Sequence, residues 1–209
     1  MKRFPERLRD GYQDFRDGRL REDRDRYRRL AERGQSPEIM IIACCDSRSA
    51  PETIFNAAPG ELFVHRNVAN LIPPFDADGN QHGTSAALEF GVTALNVAHL
   101  VIMGHGRCGG VEAFISGKPL GDTDFIGRWI DLLAPAAEMI ADDPATGAER
   151  RRALEFASVE KSLDNLRTFP WVAEAEASGR LQLHGAWFDI STGELLIFDQ
   201  AENIFSPLD

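Results

Sequence analysis

Cysteine is scarce in this chain, with three among 209 residues. Three cannot all pair with one another, and they are too few for the disulfide framework of a small secreted domain. Long apolar runs are missing as well, since nothing approaches the roughly 18–20 residues of a membrane span. The opening Met-Lys-Arg-Phe-Pro-Glu-Arg enters dense charge with no apolar segment, which argues against a secretory leader. Acids mixed into that Arg-rich stretch argue against an organelle transit peptide. No repeat or low-complexity segment is found. A net charge of −10 is a poor match for nucleic acid. These absences predict a cytoplasmic, reduced, soluble protein, binding neither nucleic acid nor membrane, whose cysteines are free for metal or chemistry.

What is present fits a globule: 43% hydrophobic and 27% charged residues, enough for a sizeable core. Residues 1–34 carry 12 Lys and Arg against 8 Asp and Glu. Acids and bases interleave there, as on a solvated helix face laced with local ion pairs. Phe4, Leu8, Tyr12 and Phe15 form one amphipathic stripe, which predicts an N-terminal helical arm over 1–34. From residue 35 to 209 the texture changes to a single domain of alternating strands and helices. Ile39–Ala43, Glu61–His65 and Leu100–Met103 read as short strands covered on both faces. Thr84–Leu95, Val111–Ile115, Asp124–Ile140 and Ala148–Leu166 read as helices. Leu181–Ile190 and Leu195–Phe198 read as a hairpin about Ser191-Thr192-Gly193-Glu194. The expected fold is α/β: a mainly parallel central sheet flanked by helices, with an antiparallel C-terminal edge.

Two motifs stand at the ends of apolar strands, where ligands collect in such sheets. One is Cys44-Cys45-Asp46-Ser47-Arg48, the other His105-Gly106-Arg107-Cys108-Gly109-Gly110. Taken alone, Cys44 and Cys45 read equally well as small buried hydrophobes. Joined to His105 and Cys108 they read as a zinc site, because thiolate and imidazole suit Zn²⁺ and not Mg²⁺ or Ca²⁺. His-x-x-Cys after a strand points two ligands at one ion, and Cys44 or Cys45 supplies the third. Three protein ligands leave a coordination position open, the mark of a catalytic site. Asp46 and Arg48, two apart, can project from one face, and a guanidinium holds a carboxylate ionised in fixed geometry. The spacing of a cysteine phosphatase, Cys-x-x-Cys, Walker A and a suitably placed G-x-G-x-x-G are all absent.

With these motifs and Pro59-Gly60-Glu61-Leu62-Phe63-Val64-His65-Arg66-Asn67-Val68-Ala69-Asn70, the sequence resembles the β-class carbonic anhydrases. The resemblance is specific from about 35 to 115 and looser through His184–Asp189 to the end. It implies one zinc ion per subunit on Cys44, His105 and Cys108, with Asp46 and Arg48 as the catalytic dyad. Cys45 falls at a variable position. Gln35, Phe63, Val68 and Gly109 are matched to the substrate pocket, Gln35 and some apolar residues crossing a dimer interface. Phe90 stands in that pocket where plant members have Tyr. The family's regulated bacterial subtype carries Trp and Tyr where this chain has Ile41 and Phe188; only the matching Arg66 is present.

The activity so implied is reversible hydration of CO₂ to bicarbonate and a proton. Zinc lowers the pKa of bound water from about 15.7 to about 7, which supplies hydroxide where bulk water does not. That hydroxide, oriented by Asp46, attacks CO₂ held against Val68 and Phe63, while Gln35 donates to a substrate oxygen. Alternatives with the same site are a hydrolase of CS₂ or COS and a CO₂ or bicarbonate sensor without turnover; the intact dyad speaks against the sensor. A homodimer or higher homo-oligomer is expected. His65, His82, His99 and His184 read as structural or surface histidines, with His82 the first choice for a proton shuttle.

Overall fold

A computed structural model describes residues 4–78, 80–117 and 125–208. The chain divides into two compact units, Met1–Ser36 and Pro37–Asp209. In the first, three helices follow one another: α1 (Glu6–Asp17), α2 (Arg19–Glu22) and α3 (Arg24–Arg33). Gly18 breaks α1 from α2, and Asp23 separates α2 from α3. Phe15 meets Tyr27 edge-on at 6.0 Å. The rest of the α1 stripe is solvent-facing, Phe4, Leu8 and Tyr12 being 56–65% exposed.

Among the described residues the second unit holds six strands: β1 (Ile39–Cys44), β2 (Leu62–Asn67), β3 (His99–His105), β4 (Gln182–Phe188), β5 (Leu195–Asp199) and β6 (Ile204–Pro207). Their order across the sheet is β2-β1-β3-β4-β5-β6. The first four are parallel, and β5 and β6 add an antiparallel edge. The fold expected from the sequence is the fold observed.

Helices α4 (Pro51–Ile54), α5 (Gly83–Glu89), α6 (Gly109–Ser116), α7 (Ile126–Ile130), α8 (Ala134–Met139), α9 (Gly147–Leu166) and α10 (Pro170–Ala177) complete it. Side chains alternate across a strand, and β1 shows the consequence. Met40 and Ile42 join Leu100, Ile102, Leu88, Val159, Leu163 and Phe169 in the largest core. Ile41 and Ala43 face a smaller one with Met103 and Ala186. Cys44, next in the alternation, falls on the side of α9, in a third cluster with Cys108, Val111, Leu154 and Ala157.

The stretch expected as one helix over Asp124–Ile140 is three pieces: α7, a 3₁₀ turn at Asp131–Leu133, and α8; Asp124 lies outside the described residues. Pro135, without an N–H and seated in the first turn of α8, forces the break. β2 ends two residues later than expected, which carries Asn67 to the level of Cys44. The helix expected to run to Leu95 loosens after Glu89 into a π-helical turn, Phe90–Ala94.

Candidate metal centre

Three elements deliver the centre. Cys44 ends β1, His105 ends the adjacent parallel β3, and Cys108 is the N-cap of α6. The sulfurs and one imidazole nitrogen lie within 4.8 Å of one another, and all three residues are buried. Among the described residues this is the one such group of three or more candidate ligands. Cys45 is exposed and outside it.

The ring of His105 shows which nitrogen faces the sulfurs. Nδ1 lies 3.0 Å from the Gly106 carbonyl, so the proton sits on Nδ1 and Nε2 keeps its lone pair. Nε2 is buried and, among the described residues, has no hydrogen-bond partner. A buried polar atom without a partner is costly, and a soft divalent ion between it and two sulfurs removes the cost. The donor set of two thiolates and one imidazole fits zinc.

Charge at the cluster follows from proximity. The two cysteines act on each other: the neighbouring Cys108 thiol draws Cys44 down to about 4. The same contact, with burial, pushes Cys108 up. Burial works to discharge His105, but the neighbouring Cys44 sulfur outweighs it and raises the imidazole. The Ala69 amide donates to Cys44 Sγ at 3.3 Å. That amide is presented by a tight turn in which Ala69 and Asn70 have φ of 63° and 50°. Asn67 staples the turn: its Nδ2 donates to Leu71 O at 2.8 Å and to Thr84 Oγ1 at 3.3 Å, and its Oδ1 accepts from Leu71 N at 3.0 Å.

Beside the cluster Arg48 grips Asp46 with both ends of its fork, Nε to Oδ1 at 2.9 Å and Nη2 to Oδ2 at 2.6 Å. The Arg48 amide adds a third bond, to Oδ1 at 3.0 Å. These bonds hold the Asp46 carboxyl well below the usual carboxylate range. Arg48 also reaches the Arg107 carbonyl at 3.3 Å, tying the pair to the turn that carries Cys108. Arg66 is engaged too: Nε donates to Cys44 O at 2.8 Å and Nη2 to Asp46 O at 2.6 Å, clamping the loop between ligand and carboxylate.

The candidate pocket residues fall into separate places. Val68 adjoins the cluster, since a Cβ on Gly110 would meet its Cγ1 at 3.3 Å and Ala69 Cβ at 2.9 Å. Gly109 opens α6 next to Cys108; beyond its chain neighbours and its own helix backbone, a Cβ there would meet no described residue within 4 Å. Phe63 and Phe90 pack on each other instead, 5.8 Å apart, with Phe63 level with Met40 and not with Cys44. Gln35 is exposed and lies at the end of the first unit. A cleft of about 490 Å³ borders Val68, lined also by His65, Asn67, Thr84 and Trp129.

Of the other histidines, His65 contacts Thr84 Oγ1 at 3.1 Å and His82 contacts Asp78 at 2.8 Å. His99 and His184 meet across β3 and β4 at 3.1 Å. Sequence reasoning missed Glu155, a buried carboxylate behind the cluster whose Oε1 accepts from the Cys108 amide at 3.0 Å and whose Oε2 accepts from Trp187 Nε1 at 3.2 Å. Burial pushes its carboxyl up, and those two donors pull it back. Its one sequence signal is its place among Leu154, Ala157, Ser158 and Val159 on the buried side of α9.

Comparison with known proteins agrees with this geometry. Residues 39–195 match the model of the carbonic anhydrase family. The carbonic anhydrase of Pseudomonas aeruginosa is 38% identical over 203 residues, covering 93% of this chain and 91% of that protein. The chloroplastic β carbonic anhydrase 5 of Arabidopsis thaliana is 35% identical over 177 residues; the match takes in 80% of this chain and only 56% of that longer protein. Among solved structures, the β-carbonic anhydrase CcaA superposes with a TM-score of 0.91 at 30% identity, over 97% of this chain and 91% of that one. Tetrameric β-carbonic anhydrases of Sordaria macrospora give a TM-score of 0.80 at 31% identity, over 91% of this chain and 94% of theirs. Sequence, fold and the disposition of the cysteines and histidine converge: this chain belongs to the β class of the carbonic anhydrases, the carbonate dehydratases.

Proposed function

We propose that this chain interconverts CO₂ and bicarbonate at one zinc ion per subunit, held by Cys44 Sγ, His105 Nε2 and Cys108 Sγ, with Asp46 and Arg48 as the working pair. The observation that carries the reading is the buried His105 Nε2, unpartnered among the described residues, beside two sulfurs. Held by these three residues, zinc would supply hydroxide near neutral pH. Asp46, ionised in the grip of Arg48, accepts a hydrogen bond from the attacking oxygen and so turns its lone pair toward the carbon of CO₂. Val68 and Gly109 give CO₂ an apolar, uncrowded wall.

Gln35, Phe63 and Phe90 belong, in this reading, to the pocket of a second copy. Phe63 precedes Asn67 by four residues on β2, about 13 Å at strand rise, so its own chain does not bring it to its own Cys44. A homo-oligomer with shared pockets is supported further by the bare apolar stripe of α1 and by the tetrameric relatives. Three cysteines with no disulfide among them suit a reducing, cytoplasmic setting, and among the described residues no helix is long and apolar enough to cross a membrane.

The test is Asp46→Asn, assayed for zinc content and for CO₂ hydration by stopped flow on one sample. Zinc is retained and turnover falls by about 10²-fold or more, the usual scale for a lost proton acceptor. Full turnover in the variant would remove the pair from the mechanism. A wild type with no zinc, or one that releases sulfide from CS₂ or COS while leaving CO₂ untouched, would overturn the reading itself.

A further inference from the structure

The structure assigns Glu155 as a positioning residue: from α9 it holds the amide of Cys108 and thereby fixes the turn that carries two of the three metal donors. The inference rests on the zinc reading above and goes beyond it, since neither motif contains Glu155.

Glu155 is 3% exposed, the one carboxylate that deeply buried among the described residues. Taking an ionised carboxylate out of water costs several kcal/mol, and a packed apolar side chain at such a site is often as stable or more so. Its neighbours Leu154, Ala157 and Val159 are apolar, and the other buried polar side chains of α9, Ser158, Ser162 and Asn165, are uncharged. What Glu155 adds is direction. Both of its oxygens are occupied, one by Cys108 N at 3.0 Å and the other by Trp187 Nε1 at 3.2 Å. One side chain thus ties α9, β4 and the turn after β3 together.

The turn needs such a tie. Arg107, between the two donors, has φ +57°, a left-handed conformation that a side chain adopts at a cost of order 1–3 kcal/mol and keeps only when its surroundings impose it. Before Arg107 the backbone is anchored, Gly106 N donating to Phe188 O at 2.9 Å. After Arg107 the Cys108 amide precedes the first turn of α6, and Glu155 is its acceptor. Without that bond the strained residue can relax and swing the Cys108 sulfur away from Cys44 and His105.

The experiment measures zinc affinity of chelator-stripped protein, by competition with a chromophoric chelator, and hydrogen exchange of the Cys108 amide in the metal-free state. Four proteins are compared: wild type, Glu155→Ala, Trp187→Phe, and the double variant Glu155→Gln with Trp187→Phe. Wild type takes up one zinc per chain and protects the amide. Glu155→Ala binds zinc about 10- to 100-fold more weakly, the usual loss when a supporting partner of a ligand is removed, and exchanges the Cys108 amide faster. The double variant keeps an acceptor for Cys108, and its Gln nitrogen no longer opposes the indole N–H. Its affinity matches that of Trp187→Phe, which also decides the matter should Glu155→Ala fail to fold. Zinc affinity and exchange unchanged in a folded Glu155→Ala would overturn the inference alone, as would a double variant far weaker than Trp187→Phe. A wild type that takes up no zinc would overturn the reading of the site, and this inference with it.

Discussion

Gly109 and Gly110 are adjacent, both begin α6, and substitution by Ala is expected to move them in opposite directions. A Cβ on Gly110 would sit 2.9 Å from Ala69 Cβ and 3.3 Å from Val68 Cγ1, with Ala69 Cα at 3.9 Å behind. Ala69 has no flexible end that can swing aside, so the turn at Val68–Asn70 must retreat from α6. Overpacking of this kind costs about 1–3 kcal/mol, against which Ala in a helix returns at most about 1 kcal/mol relative to Gly. A net loss of about 1–2 kcal/mol in a chain of this size lowers Tm by roughly 2–8 °C. Because the retreating turn carries the Ala69 amide bonded to Cys44 Sγ, zinc affinity falls as well. Apart from its chain neighbours and its own helix backbone, a Cβ on Gly109 meets nothing within 4 Å among the described residues, so Gly109→Ala melts at or slightly above wild type. Differential scanning fluorimetry of the zinc-loaded variants decides it. Gly110→Ala as stable as wild type, or Gly109→Ala the less stable of the two, would refute the close-approach argument.

Replacing Cys108 or His105 by Ala leaves two donors and is expected to abolish zinc retention and CO₂ hydration together, read by metal analysis after gel filtration and by stopped flow. Asn67→Ala removes three hydrogen bonds from a turn whose residues stand at positive φ, and about 1–3 kcal/mol of stability should go with them, measured by urea unfolding. Burial first, and then the charge on His99, hold His184 below its ordinary value, and burial does the same to His65. The unfolded chain therefore binds more protons than the folded one between those lowered values and about 6.5, and stability falls as pH drops through that window. His184→Gln should flatten part of the fall in urea midpoints between pH 7 and 5; an unchanged slope would show that His184 does not titrate there.

The apolar runs at Ile39, Leu100 and Leu195 made the central strands and the C-terminal hairpin legible, because a covered strand has few alternatives to continuous apolar residues. Other elements left weaker marks. α10 starts at Pro170 inside Thr-Phe-Pro-Trp, which reads locally as a loop, and β6 is a short edge strand with Ile204 half exposed. Pro135 carried the signal for the broken helix, outweighed by the good helix formers around it. At the site, local spacing pairs His105 with Cys108 but does not choose between Cys44 and Cys45. Strand alternation makes that choice by turning Cys44 toward α9. Glu155 was hidden because an acid on a charged helix reads as solvated until the helix is docked. The separation of Phe63 from Cys44 depends on direction along β2, which no motif spells out.

Cys44 and His105 lie far apart in the chain and meet only because β1 and β3 run side by side in the same sense. Parallel neighbours require a long crossover, and contacts of that range are slow to form. A nascent or unfolded chain thus offers an ion only local pairs, His105 with Cys108 or Cys44 with Cys45. Full capture waits until the middle of the sheet has closed. Metal retention is on this view a certificate of completed folding, and a chain arrested earlier would exchange its ion freely with any competing thiol in its surroundings.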